Sequence, residues 1–189
     1  MKQLFVAVPL PADARDEVVA LVDGIREAKA DTGVRWVRMD GLHLTLRFLG
    51  PTDDERVAGV SSAVVDAAGA ANPFRIKVSG AGAFPSATRP RALWLGIGEG
   101  AEELEAIARS LQEPLAALGW APDRRPFRAH LTLARTDGAR GGPATVRALE
   151  AAASGFEVGF TADRLVLFES LTGRGPARYE PVAEAALSS

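Results

Sequence analysis

Only two histidines occur in this chain, and each opens the same tetrapeptide: His43-Leu44-Thr45-Leu46 and His130-Leu131-Thr132-Leu133. An imidazole titrates close to neutrality, so at pH 7 it can either hold a proton or take one up. Two imidazoles flanking one phosphorus atom supply what in-line displacement needs, a base beside the entering oxygen and an acid beside the leaving one. The two threonine hydroxyls can donate hydrogen bonds to the non-bridging oxygens as charge builds there. Such a scheme calls for no metal and no cofactor. A lone histidine in an apolar strand is most often a satisfied structural residue. Finding every histidine of the chain inside one repeated motif shifts the reading toward chemistry.

Both tetrapeptides lie in strand-like runs, where successive side chains point to opposite faces. Alternation puts His43, Thr45 and Arg47 on one face and Leu44, Leu46 and Phe48 on the other, the core side. In the second copy it groups Arg128, His130 and Thr132 against Phe127, Ala129, Leu131 and Leu133. Arg47 and Arg128 read equally well as phosphate partners and as solvated strand residues. Trp36, Trp94 and Trp120 read as core before they read as stacking platforms.

The elements that must carry these motifs follow from periodicity. Strands are expected at 3–8, 34–37, 42–49, 74–79, 93–97, 127–134, 156–160, 164–169 and 177–182. Apolar residues at three- and four-residue steps predict a helix from Ala14 to Ala28, with Asp13 as its cap and Gly33 beyond its end. Thr52 and Glu55 form a capping box opening a second helix through Ala67. Leu104 to Leu118 reads as a third helix kinked at Pro114 and stopped by Gly119, and Thr145 to Ala153 as a short fourth. The Gly- and Pro-rich stretch 79–91 reads as a loop between lobes, and the alanine-rich C-terminus as frayed. Strands and helices interleave without a regular crossover rhythm, which points to α+β.

Composition removes other classes. The 189 residues carry 47% hydrophobic and 24% charged side chains and a formal net charge of −2, which fits a globular chain and not a disordered or polybasic one. No cysteine is present, so there is no disulfide, thiol nucleophile or zinc ribbon, and a cytoplasmic location is the default expectation. The opening Met1–Val8 reads as a strand and not as a signal peptide. No run reaches the ~20 apolar residues of a membrane span. Two widely spaced histidines followed by Leu-Thr offer too few ligands for zinc. There is no G-x-S-x-G elbow, and no Walker or dinucleotide fingerprint to hold ATP or NAD.

The paired H-x-T-x motifs resemble those of the 2H phosphoesterase superfamily, and the surrounding sequence is similar to its bacterial and archaeal RNA 2′,3′-cyclic phosphodiesterase branch, also called 2′-5′ RNA ligase. The resemblance covers nearly the whole chain. It includes Leu4–Pro9, Val34-Arg35-Trp36-Val37, Leu42–Gly50, Phe84-Pro85, Leu93–Gly96, Arg125–Arg135, and Leu167–Leu171 with Tyr179. It implies a single 1–189 domain of α+β, bilobal build, its two lobes related by a pseudo-two-fold, each with an antiparallel sheet, flanking helices and one motif facing a central cleft. It also implies opening of 2′,3′-cyclic phosphates on RNA 3′ ends or tRNA halves to a 2′-phosphate, with 2′-5′ joining in the reverse sense. His43 would then be the proton donor and His130 the acceptor, with Thr45 and Thr132 holding the phosphate. Arg135 matches a family arginine near the substrate, although simple alternation turns it away unless the strand bulges there. A monomer is expected. Two other readings remain beside this one: a phosphodiesterase for a small cyclic nucleotide, and a non-catalytic module that binds RNA ends.

Overall fold

The computed structural model describes residues 1–28, 34–136, 142–173 and 175–188. Its strands are β1 (Lys2–Pro9), β2 (Val34–Trp36), β3 (His43–Thr52), β4 (Phe74–Phe84), β5 (Ala92–Ile97), β6 (His130–Thr136), β7 (Glu157–Ala162), β8 (Arg164–Gly173) and β9 (Gly175–Ala186). Its helices are α1 (Ala12–Ala28), α2 (Asp54–Gly69), α3 (Ala101–Ser110), α4 (Gln112–Ala117) and α5 (Gly142–Ala152). All described strand pairs are antiparallel, in the order β7-β4-β5-β6-β3-β1-β8-β9, with β2 added beside β6. This is the expected α+β architecture, its two four-stranded halves joined where β3 meets β6.

That order is symmetric about the β3/β6 joint. On one side β3 pairs with β1, β1 with β8 and β8 with β9; on the other, β6 pairs with β5, β5 with β4 and β4 with β7. A single pair, Leu44 opposite Leu131, holds the joint. Beyond it the two strands part, and β2 takes the vacated flank of β6 through Val34–Thr136, Arg35–Arg135 and Trp36–Ala134.

The helices cover the sheet with their apolar stripes. Ala14, Val18, Val22 and Ile25 of α1 are buried, as are Val60, Ala63, Val64, Ala67 and Ala68 of α2 and Leu104, Ile107 and Ala108 of α3, each set at helical spacing. Two helices cross the joint. α1, which follows β1, packs on β7 and α5 of the other half, and α3, which follows β5, packs on β3 and α2. The Trp120 indole N–H donates to the Leu49 carbonyl at 2.9 Å, adding another tie between the halves.

Several sequence expectations need correction. Asp53, not Thr52, precedes α2, and the Thr52 hydroxyl donates instead to the Gly50 carbonyl. The expected loop 79–91 begins later, because β4 runs on to Phe84 through a bulge between Val78 and Ala81, where Gly80 takes φ +71°. Only glycine takes that conformation without strain. Gly82 continues the strand because the Trp94 ring lies where a side chain would sit, 2.7 Å from a β-carbon. Asp13 is inside α1 and not ahead of it, and Gly33 falls outside the described residues. The alanine-rich end belongs to β9, and Leu187 beyond it is buried. Pro114 does interrupt its helix: α3 ends at Ser110 and α4 restarts at Gln112, since proline has no N–H to give the carbonyl four residues back.

Candidate active site

The joint between β3 and β6 sets the geometry. With Leu44 opposite Leu131, moving one residue each way sets His43 across from Thr132 and Thr45 across from His130, all four on the face away from the leucines. The two histidines are then diagonal neighbours about the joint. A pseudo-two-fold axis through the joint exchanges the two motifs.

Each imidazole is anchored alike. Nδ1 of His43 lies 2.7 Å from the Gly41 carbonyl, and Nδ1 of His130 lies 2.6 Å from the Arg128 carbonyl. A carbonyl oxygen only accepts, so both Nδ1 atoms must donate and carry hydrogen. Both Nε2 atoms are thereby left to exchange protons in the cleft. Aromatic rings pack on each histidine. His43 lies 4.7 Å from the Phe5 ring and 4.8 Å, edge-on, from Tyr179; His130 lies 5.0 Å, edge-on, from Phe84. Burial lowers the His43 pKa to about 4, an effect opposed by the Gly41 hydrogen bond and reinforced by the positive charge of Arg135. Burial also lowers the His130 pKa, with Arg128 and Arg135 adding to the effect. Burial raises the Tyr179 hydroxyl, against the pull of Arg135.

The fate of the arginines turns on one device used twice. Opposite β1, Thr45 pairs with Ala7 and Arg47 with Val6, so Leu46 is an extra residue. Opposite β5, Thr132 pairs with Trp94 and Ala134 with Leu93, so Leu133 is extra. The insertion flips the alternation downstream of it. Arg47 therefore turns into the core at 4% exposure, where its guanidinium donates to the Ala121 carbonyl and pairs with Asp123. It does not share the face of His43. Phe48 turns outward at 61% exposure, against the core position read from alternation. The matching bulge brings Arg135 round to the cleft.

His43, Thr45, Thr132 and Arg135 line one cavity of about 490 Å³, together with Phe48 and Tyr179. His130 does not line that cavity but a separate recess, with Arg128, Phe84 and Trp94. Arg128 precedes β6, which starts at His130 and not at Phe127, and its guanidinium lies over the Phe84 ring at 5.4 Å. Ser170 and Thr172 of β8 add hydroxyls to the main cavity; Ser170 falls in the resembling stretch Leu167–Leu171, whereas Thr172 carried no sequence signal. Phe48 did carry one: it stands five residues after His43, as Arg135 stands five after His130. Among the described residues no three of His, Cys, Asp and Glu converge to hold a metal ion.

A doubled antiparallel half, each copy with one histidine strand at the central joint, defines the class of this molecule. The chain belongs to the LigT-like phosphoesterase family of the 2H superfamily, whose model matches residues 8–94 and again 95–179. The RNA 2′,3′-cyclic phosphodiesterase of Aeropyrum pernix is 38% identical over 127 residues, covering 66% of this chain and 71% of that protein. The Escherichia coli protein of the same name is 29% identical over 188 residues, covering 99% and 97%. The crystal structure of E. coli LigT complexed with 3′-AMP has a TM-score of 0.77 at 28% identity, covering 100% of this chain and 99% of that one.

Proposed function

We propose that this chain opens 2′,3′-cyclic phosphates at RNA 3′ ends without a metal, as a single domain built of two packed lobes. Water attacks phosphorus on the side opposite O3′, passing its proton to Nε2 of His130. The P–O3′ bond breaks, and Nε2 of His43 delivers a proton to O3′, leaving a 3′-hydroxyl and a 2′-phosphate. Thr45 and Thr132 donate to the non-bridging oxygens and Arg135 balances their charge. An RNA 5′-hydroxyl replacing water would give a 2′-5′ linkage by the same proton transfers.

The observation that carries this reading is the pair of imidazoles with Nδ1 tied to carbonyls and Nε2 free, related by an axis through Leu44 and Leu131. The relatives from Aeropyrum pernix and Escherichia coli, both RNA 2′,3′-cyclic phosphodiesterases, support the choice of substrate. Both histidines are mainly neutral in the empty cleft at pH 7, so the acid acquires its proton as the phosphate anion arrives and favours the imidazolium.

The test is an oligonucleotide ending in a 2′,3′-cyclic phosphate, incubated with the protein in excess EDTA. Ring opening to a 2′-phosphate is expected, with a loss of roughly 10²–10⁴-fold in His43→Ala and in His130→Ala. No ring opening, or equal rates in the variants, overturns the proposal.

A further inference from the structure

Where β3 leaves β6, the flank of the cleft is rebuilt by β2, and there Arg35 stands directly opposite Arg135 in the antiparallel ladder. Directly paired residues put their side chains on the same face, and like charges so placed repel and destabilise the sheet. Among the described residues neither guanidinium has a carboxylate within ion-pair reach, while the nearby Arg38 has both oxygens of Asp40. Arg35 is exposed, and the sheet therefore holds side by side, at the edge of the candidate site, two cations with no carboxylate partner among the described residues.

The two arginines face different spaces. Arg135 lines the main cavity with His43 and Thr132, and with Val37, Ala177 and Tyr179 it also lines an adjoining groove of about 740 Å³. Arg35 lines that groove and not the main cavity, along with Trp36, Pro176 and Tyr179. The groove thus adjoins the main cavity at Arg135 and Tyr179 and lies between β2 and the start of β9, with Arg35 on its wall beside Arg135. A ligand that relieved the repulsion would be an anion with a second negative group displaced from the first. A nucleic-acid strand whose terminal phosphate lay between the histidines would offer that second group in its next phosphodiester.

We infer that Arg35, with Arg135, forms a subsite for the phosphodiester immediately 5′ of the terminal nucleotide, so that the protein prefers a diribonucleotide or longer strand over a cyclic mononucleotide. The inference rests on the ring-opening reading and adds a length requirement to it. The contact is a charge-assisted hydrogen bond made by one exposed arginine, which makes it sensitive to salt. It belongs to strand binding and not to proton transfer, so Arg35 is a specificity residue.

The experiment compares kcat/KM for a diribonucleotide 2′,3′-cyclic phosphate with that for the matching mononucleotide, in the wild type, Arg35→Gln and Arg35→Lys. The wild-type preference for the longer substrate is expected to fall about tenfold in Arg35→Gln and to be largely kept in Arg35→Lys. An unchanged preference in Arg35→Gln overturns the inference, and so does a wild type with no preference. If the wild type opens neither ring, the ring-opening reading falls instead. The subsite is then decided by calorimetric binding of a diribonucleotide 3′-phosphate, where a tenfold weakening in Arg35→Gln supports it and equal affinity overturns it.

Discussion

His43 is held by a carbonyl and wrapped by aromatic rings, and among the described residues no carboxylate favours its charged form. Its pKa of about 4 in the folded protein lies below the ordinary 6.5 of the unfolded chain. As pH falls through 6.5 the unfolded chain binds the proton first, so stability declines with acidification until both states are protonated below about pH 4. The loss is up to about 3 kcal/mol at the low end, less whatever solvent reaches the ring. Melting temperatures of the wild type and His43→Gln at pH 7.5 and 4.5 check this. The wild type should lose more on acidification than the variant, and equal losses would show that the ring is not desolvated. Gly41, whose carbonyl fixes the His43 tautomer, has the Tyr179 ring 2.8 Å from where a β-carbon would lie. The residue that orients the imidazole is thus also the one that lets the tyrosine edge approach it.

At the scale of elements, the bulges at Leu46 and Leu133 separate two arginines that simple alternation misassigns. Arg47 is buried and serves the fold through Ala121 and Asp123, whereas Arg135 faces the cleft. Arg47→Met should keep ring-opening activity within about threefold, because Arg47 points away from the cavity and its partner Asp123, 59% exposed, remains solvated when the guanidinium is gone. Arg135→Met should lower kcat/KM by roughly 10–100-fold through lost charge stabilisation. Steady-state kinetics of the two purified variants separate them, and a larger loss in Arg47→Met would reverse the assignment. The sequence made the histidine strands, the flanking helices and the doubled motif legible because their signals are local and periodic. It could not reveal a bulge, since the extra residue is defined only by its partner strand: Leu46 is extra relative to Val6 and Ala7, and Leu133 relative to Leu93 and Trp94. For the same reason the glycines of β4 looked like a loop. Their role depends on Trp94 lying over Gly82, a contact between residues twelve apart in sequence and on separate strands.

At the scale of the whole molecule, the two halves are repeats that do not stand apart. α1 lies on the half containing β7, α3 lies against β3, and β2 completes the flank of β6. Trp36 belongs to the first half and Trp94 and Trp120 to the second, so tryptophan fluorescence reports on both. Urea unfolding followed by fluorescence and by far-ultraviolet circular dichroism should give one coincident transition. Two separated transitions would mean that each repeat folds alone and that the exchanged helices contribute little.

The helix exchange also bears on how a reaction can be run here. In a molecule whose repeats each hold down part of the other, the span between the two histidines, the proton carriers of the proposed reaction, is set when the chain folds. Each substrate then meets a gauge already cut to width, and the work of alignment is done once per protein molecule and not once per turnover.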